Sequence, residues 1–170
     1  MSECDAGGTD GRVPLLVVDA ANVVGSVPDG WWRDRRGAAE RLRDALVAVA
    51  QHGPADRDGP HVRSDAGPVE VVLVVEGAAR GVASVPGVRV VAAPGSGDDR
   101  IVELVEETMA EEAPTGEVLV EDAPTGEAPP ARPRRDCRVV TADRGLRARV
   151  IALGAGVLGP RSVWPARPEN

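Results

Sequence analysis

Outside its Gly- and Pro-rich stretches, the chain alternates between short apolar runs and longer segments whose apolar residues recur every three or four positions. The runs at 13–18, 69–75, 88–92, 138–141 and 156–158 are dominated by valine. Unbroken β-branched runs of that length suit strands covered on both faces. Between them, 37–51 places Leu42, Leu46 and Val49 on one helical face; 98–111 does the same with Ile101, Leu104, Val105 and Met109, and 143–153 with Leu146, Val150 and Leu153. A shorter connection runs through 77–84. Alternation of this kind over five strands predicts an α/β fold, a three-layer sandwich around a mainly parallel five-stranded sheet with right-handed crossovers. Ligands of such sheets bind beyond the carboxyl ends of the strands.

Two stretches interrupt the alternation. Glu112-Ala-Pro-Thr-Gly-Glu117 recurs as Asp122-Ala-Pro-Thr-Gly-Glu127, followed by Pro129, Pro130 and Pro133. Such a composition buries too little apolar surface to offset chain entropy. The reading is therefore a disordered N-terminal tail at 1–12, a single domain at 13–164 and a C-terminal tail at 165–170. The domain carries a disordered acidic, Pro-rich insertion at about 111–135 and a second surface loop at 53–68. A length of 170 residues with 42% hydrophobic and 28% charged composition agrees with one domain.

Composition changes the picture mainly by what it lacks. All 20 basic residues are arginine, and there is no tyrosine or phenylalanine. A phosphate loop with its lysine, a Schiff base and a tyrosine nucleophile are thereby excluded. His52 and His61 lie in a Gly-, Pro- and Asp-rich stretch far from any nucleophile setting, which argues against a histidine triad. Carboxylates, Arg, Asn, Ser and Thr remain, the inventory of metal-assisted phosphoryl chemistry. Cys4 and Cys137 form no zinc-type pair, and neither a signal peptide nor an apolar run of about 18 residues is visible, so a cytoplasmic protein with reduced thiols is expected. The net charge of −7 is uneven. Residues 1–12 carry three acids and one arginine, and residues 111–136 carry seven acids and three arginines, which leaves −1 on the rest.

Reading the positions that follow each strand gives Asp19, Glu76, the pair Asp98 and Asp99, and Asp143. Parallel strands point the same way, so these acids converge on one rim, where their mutual repulsion favours a divalent cation. Oxygen-only donors suit Mg²⁺ or Mn²⁺. Each acid also has a structural reading. Asp98 and Asp99 follow Ser96-Gly97 as a capping-box-like helix start, Asp143 suits an N-cap, and Glu76 before Gly77 suits a solvated turn. Asn22 either orients the Asp19 carboxylate, contacts a phosphate, or occupies a turn. Thr141 offers a hydroxyl to the same rim or serves as an ordinary strand residue. Arg100 and Arg144 each directly follow an acid of the cluster and either grip phosphate or pair with neighbouring acids.

Three blocks carry a family resemblance. Val17-Val18-Asp19-Ala20-Ala21-Asn22-Val23-Val24-Gly25, then Gly95-Ser96-Gly97-Asp98-Asp99-Arg100-Ile101, then Val139-Val140-Thr141-Ala142-Asp143-Arg144-Gly145-Leu146 resemble the NYN branch of the PIN-like nuclease superfamily. The likeness spans most of 13–163. It implies a PIN-like parallel sheet, a Mg²⁺ or Mn²⁺ site and ribonuclease activity. By position it implies metal-binding acids at Asp19, at Asp98 or Asp99 and at Asp143, with Asn22 and Thr141 in the same blocks. Glu76, outside those blocks, is read from its place after the second strand as an outer ligand or water-orienting group. Pro94-Gly95-Ser96 stands where many relatives carry a basic residue.

RNA is the expected partner, with Arg33, Arg35, Arg36, Arg144, Arg147 and Arg149 as phosphate contacts, because arginine binds phosphate bidentately without help from lysine. Trp31 and Trp32 either stack on bases or anchor the loop to the sheet, and Trp164 is read as a core-packing residue. The alternative is a catalytically weak or inactive PIN-like module that binds RNA or a protein. A haloacid-dehalogenase-type phosphatase lacks its second acid in Asp19-Ala20-Ala21, and a receiver domain lacks its lysine.

Overall fold

A computed structural model describes residues 13–28, 30–54, 67–110 and 135–164. The tails at 1–12 and 165–170, nearly all of the 111–135 insertion and most of the 53–68 loop lie outside the described residues, as do Cys4 and His61.

The strands are β1 (Leu15–Asp19), β2 (Glu70–Val75), β3 (Val88–Ala92), β4 (Cys137–Val140) and β5 (Gly156–Leu158). All four pairings are parallel, in the order β3-β2-β1-β4-β5. The helices are α1 (Ala20–Gly25), α2 (Arg35–His52), α3 (Gly97–Ala110) and α4 (Arg144–Ala152). This is the α/β sandwich that the valine runs predict, with every strand within two residues of its expected bounds.

The two layers follow from the period of two along each strand. Leu16 and Val18 of β1, with Val71, Leu73 and Val75 of β2, face a cluster closed by Val23, Val24, Leu42 and Leu46 from α1 and α2. Leu15 and Val17, with Val72, Val74 and Val139, face Ile101, Leu104, Val105, Leu146 and Val150 from α3 and α4. Each central strand thus presents alternate residues to opposite helix layers, which is why it reads as a continuous apolar run. Among the described residues no helix is long and apolar enough to cross a membrane.

One element departs from the sequence reading. Residues 20–25, expected to hold only a turn around Asn22, form α1. A six-residue helix is too short to show a 3.6 periodicity, and what fixes it is its cap: the Asp19 carboxylate accepts the Asn22 backbone N–H at 3.2 Å. Likewise α2 starts two residues before the expected 37, because Asp34 accepts the Gly37 N–H at 2.9 Å.

The chain steps outward from β1 to β2 to β3, then crosses back to place β4 on the other side of β1. The order therefore reverses between β1 and β4, and in open parallel sheets the crevice at such a reversal is where ligands bind. Asp19 ends β1, and Thr141 follows β4 directly.

Leu42 is fully buried under the sheet. Leu42→Ala is expected to lose about 2–5 kcal/mol, read as a lowered urea midpoint at unchanged m-value. Ile151→Ala, at a position 56% exposed, is expected to stay within about 0.5 kcal/mol of the parent.

Candidate active site

The centre of the site is a joint between the two turns that leave β1 and β4. Asp19 is 6% exposed and Thr141 is fully buried. The Thr141 hydroxyl donates to Asp19 Oδ2 at 3.2 Å and accepts the Asp143 N–H at 3.1 Å. Asn22 reaches across the same joint, its Oδ1 accepting the Ala142 N–H at 2.8 Å. Asn22 thus serves Asp19 through its backbone N–H and spends its side-chain oxygen on the β4–α4 turn. Asp143 caps α4, Oδ1 accepting from Leu146 N–H at 2.8 Å, and leaves Oδ2 without a hydrogen bond among the described residues. Capping and facing the rim are therefore compatible for both Asp19 and Asp143.

The acids of α3 separate into two roles. Asp99 is exposed and pairs with Arg149 of α4 at 3.0 Å. Asp98 is half-buried and makes no hydrogen bond among the described residues, and its charge is felt by Asp19. Its own carboxyl is raised, first by burial and then by the charges of Asp143 and Glu76, with Arg149 opposing. Asp98 is thus the member of the pair that faces the cluster.

Glu76 has a specific partner. Its Oε2 accepts the Gly97 N–H at 2.6 Å, capping α3 from the end of β2. A Cβ on Gly97 would stand 2.9 Å from that oxygen, so glycine is what allows the approach. Ser96 plays no part in such a cap: among the described residues the capping-box bond expected between Ser96 and Asp99 is absent, and Glu76 takes its place. Arg80 holds the same approach to α3, Nε donating to the Ala93 carbonyl at 2.9 Å and Nη2 to the Pro94 carbonyl at 3.2 Å. Arg80 had no signature in the sequence, since an arginine in a surface turn has no spacing that marks it.

Electrostatically the cluster is strained. Burial, aided by the charges of Asp98 and Glu76, raises the Asp19 carboxyl to about 6, against the lowering effect of its bonds from Asn22 and Thr141. Asp98 and Glu76 therefore act on Asp19, and Asp143 and Glu76 act on Asp98, which makes Asp98 the electrostatic link between the acids. Among the described residues, however, no three of His, Cys, Asp and Glu are gathered closely enough to hold a metal ion.

The arginines also divide. Arg100 is held by Glu103 at 2.9 Å and Glu107 at 3.2 Å along α3, which answers the choice between phosphate and acid in favour of the acids. Arg36 pairs with Glu40 at 3.1 Å. Arg144 and Arg147 are exposed on α4, and their side chains make no hydrogen bond or ion pair among the described residues. A cavity of about 690 Å³ lies at the opposite end of the sheet, between the last turn of α2 and the amino ends of β2 and β3, lined by Val47, Ala50, Val69 and Val88. Its apolar wall and its distance along the strands from Asp19 set it apart from the carboxylates.

Solved structures agree with this architecture. Rae1 (YacP) from Bacillus subtilis superposes at a TM-score of 0.53 with 16% identity, over 88% of this chain and 71% of that one. Its W164L mutant gives 0.54 with 15% identity, over 89% and 72%. No family model matches the chain, and no curated protein matches it in sequence. At such identity the likeness shows the fold alone, a parallel α/β sandwich.

The Asp19 carboxyl binds its proton more tightly in the folded chain, at about 6, than at its ordinary value of 3.8. Between those values the folded state holds the extra proton, so stability falls as pH rises through the window and the loss is complete above about 6. At 1.36 kcal/mol per unit the loss is at most about 3 kcal/mol. Asp19→Asn keeps an acceptor for the Asn22 N–H and removes the charge. In chelator it is expected to raise the urea midpoint at pH 7.5 and to change it little at pH 4.

Proposed function

We propose that the chain is a divalent-metal-dependent ribonuclease that hydrolyses RNA phosphodiester bonds at the carboxyl rim of its sheet. The observation that carries this is a buried carboxylate at the reversal of strand order, its proton affinity raised by burial and by two neighbouring acids. A carboxylate so placed gains most from a nearby cation. The PIN-like fold and the three NYN-like sequence blocks support the same reading.

The donor chemistry fits Mg²⁺ or Mn²⁺. Among the described residues the rim offers oxygen and neither imidazole nor thiolate, which is the hard set these ions prefer. Asp19, Asp98 and Asp143 are the carboxylates that would have to draw closer together around the ion, since they do not stand near enough to hold it as placed; among the described residues both Asp98 oxygens and Asp143 Oδ2 are free of hydrogen bonds. Asp99 and Glu76 stand as outer members, one held by Arg149 and the other engaged on Gly97 N–H. When bound, the cation supplies charge neutralisation and Lewis acidity at the phosphate. The chain's own residues do the rest. Thr141 and Asn22 lock the β1 and β4 turns together so that Asp19 and Asp143 keep their spacing, and Glu76 with Arg80 fixes the start of α3 and hence Asp98. Arg144 and Arg147 would meet phosphates beside Asp143, with Arg149 of the same helix, and Arg33, Arg35 and Arg36 would extend that grip on the α1–α2 side. A cytoplasmic location belongs to the same proposal.

A second reading is a PIN-like module that binds RNA or a protein without cleaving. The observation favouring it is that the carboxylates are not gathered into a three-ligand group.

Cleavage of labelled RNA and DNA in Mg²⁺, Mn²⁺ or chelator separates the two. Removing even an outer partner of a metal ligand costs about 10–100-fold, so Asp19→Asn and Asp143→Asn are each expected to lose about a hundredfold or more. Asparagine caps helices as well as aspartate does, so both variants keep α1 and α4. Millimolar Mn²⁺ is also expected to raise the Tm of the parent and not that of Asp19→Asn. Metal-independent behaviour shared by parent and both variants would overturn the ribonuclease reading.

A further inference from the structure

The two adjacent tryptophans have opposite surroundings. Trp31 is partly buried against the α1 and α2 core, its ring within about 3.6 Å of where a Gly25 Cβ would stand. Trp32 is 56% exposed, its ring edge-on to Trp31 at 6.3 Å and 83°. Leaving a large apolar ring in water forgoes burial worth about 25 cal/mol per Å². This chain has three tryptophans and neither phenylalanine nor tyrosine, and it sets one of them outside a core built from valine, leucine, isoleucine and alanine with Cys137.

The ring is held on a stiff turn. Gly30 takes a φ of 81°, a conformation that favours glycine, and starts a 3₁₀ turn over Trp31–Arg33 closed by Arg33 N–H to the Gly30 carbonyl at 3.0 Å. Asp34 then caps α2, its carboxylate engaged on Gly37 N–H. Around Trp32 the charge is cationic. Arg33 is exposed and makes no ion pair among the described residues, and the Arg35 guanidinium sits 5.5 Å over the Trp31 ring. The turn is also tied to the rim, because Trp31 packs against the last residue of α1 and Asp19 caps the first. Six residues at about 1.5 Å each separate the two ends.

We infer that Trp32 is a stacking platform for an unpaired base, with Arg33 and Arg35 on the flanking phosphates, so that the substrate is single-stranded RNA a few nucleotides from the bond cut at Asp19. An exposed ring accepts any base face, whereas the bases of a duplex are already stacked on one another. Guanidinium groups beside it match a polyanion, which favours RNA over a protein partner. This rests on the ribonuclease reading for the position of the bond cut, and its test does not require cleavage.

Fluorescence anisotropy of labelled single-stranded RNA and of the matching duplex, in chelator at low ionic strength, is measured for the parent, Trp32→Ala and Trp32→Phe. Stacking predicts that Trp32→Ala weakens the single strand by about 5- to 150-fold, that Trp32→Phe restores most of it, and that the duplex is unchanged. Equal melting temperatures would show the fold intact, as the exposure of Trp32 implies. Single-strand affinity unchanged in Trp32→Ala, or equal losses for strand and duplex, overturns the platform. Metal-dependent cleavage by the parent would then leave the ribonuclease reading standing. A parent that ignores both RNAs also overturns it.

Discussion

Everything at the rim depends on keeping one carboxylate, Asp19, almost dry. A buried anion is costly unless its oxygens are engaged, and each Asp19 oxygen has one neutral partner, Asn22 N–H on Oδ1 and the Thr141 hydroxyl on Oδ2. Those two bonds cap α1 and join the β1 turn to the β4 turn. They do not remove the charge, so the fold carries a standing electrostatic demand at the point where the sheet reverses its order. Under the proposed function, stability and function pull in opposite directions there, a compromise common at sites shaped for a reaction.

The topology makes that demand local. Because β4 returns to the side of β1 away from β2, the turns carrying Asp19 and Asp143 become neighbours although about 120 residues separate them. The third acid comes from a different direction, the start of α3, and reaches the rim by way of side chains. The connection from β2 to β3 contains no α-helix, so Glu76 and Arg80 act where a helix would otherwise brace the segment leading to Asp98. A short helix on one side and a braced loop on the other thus bring three separate elements to one place.

What the sequence disclosed was whatever depended on near neighbours. Valine runs reveal strands because burial on both faces leaves no polar gap to misread, and the acids at 19, 76, 98, 99 and 143 stand out because they end apolar runs or open helices. Residues 20–25 concealed a helix because one turn and a half has no periodicity. Asp98 and Asp99 could not be ranked from spacing, since adjacent helical residues point about 100° apart and the phase of α3 against the sheet is a tertiary fact. The partner of Glu76 lies 21 positions away, and nothing near Gly97 announces it. Trp31 and Trp32 look equivalent as letters and differ only once the turn at Gly30 directs one ring inward and the other outward.

The distribution of aromatic residues has an optical consequence. Trp31 and Trp164 pack against the cluster closed by α1 and α2, and Trp32 stands on the turn that precedes α2. The opposite layer, beneath α3 and α4, contains no aromatic side chain, and with no tyrosine in the chain near-ultraviolet light has nothing there to absorb. Intrinsic emission therefore watches one half of the sandwich, while the half that positions Asp98 and Asp143 is dark. A fluorescence melt of this protein reports on one layer and a far-ultraviolet melt on the backbone of both, so their coincidence would show that the two halves come apart together.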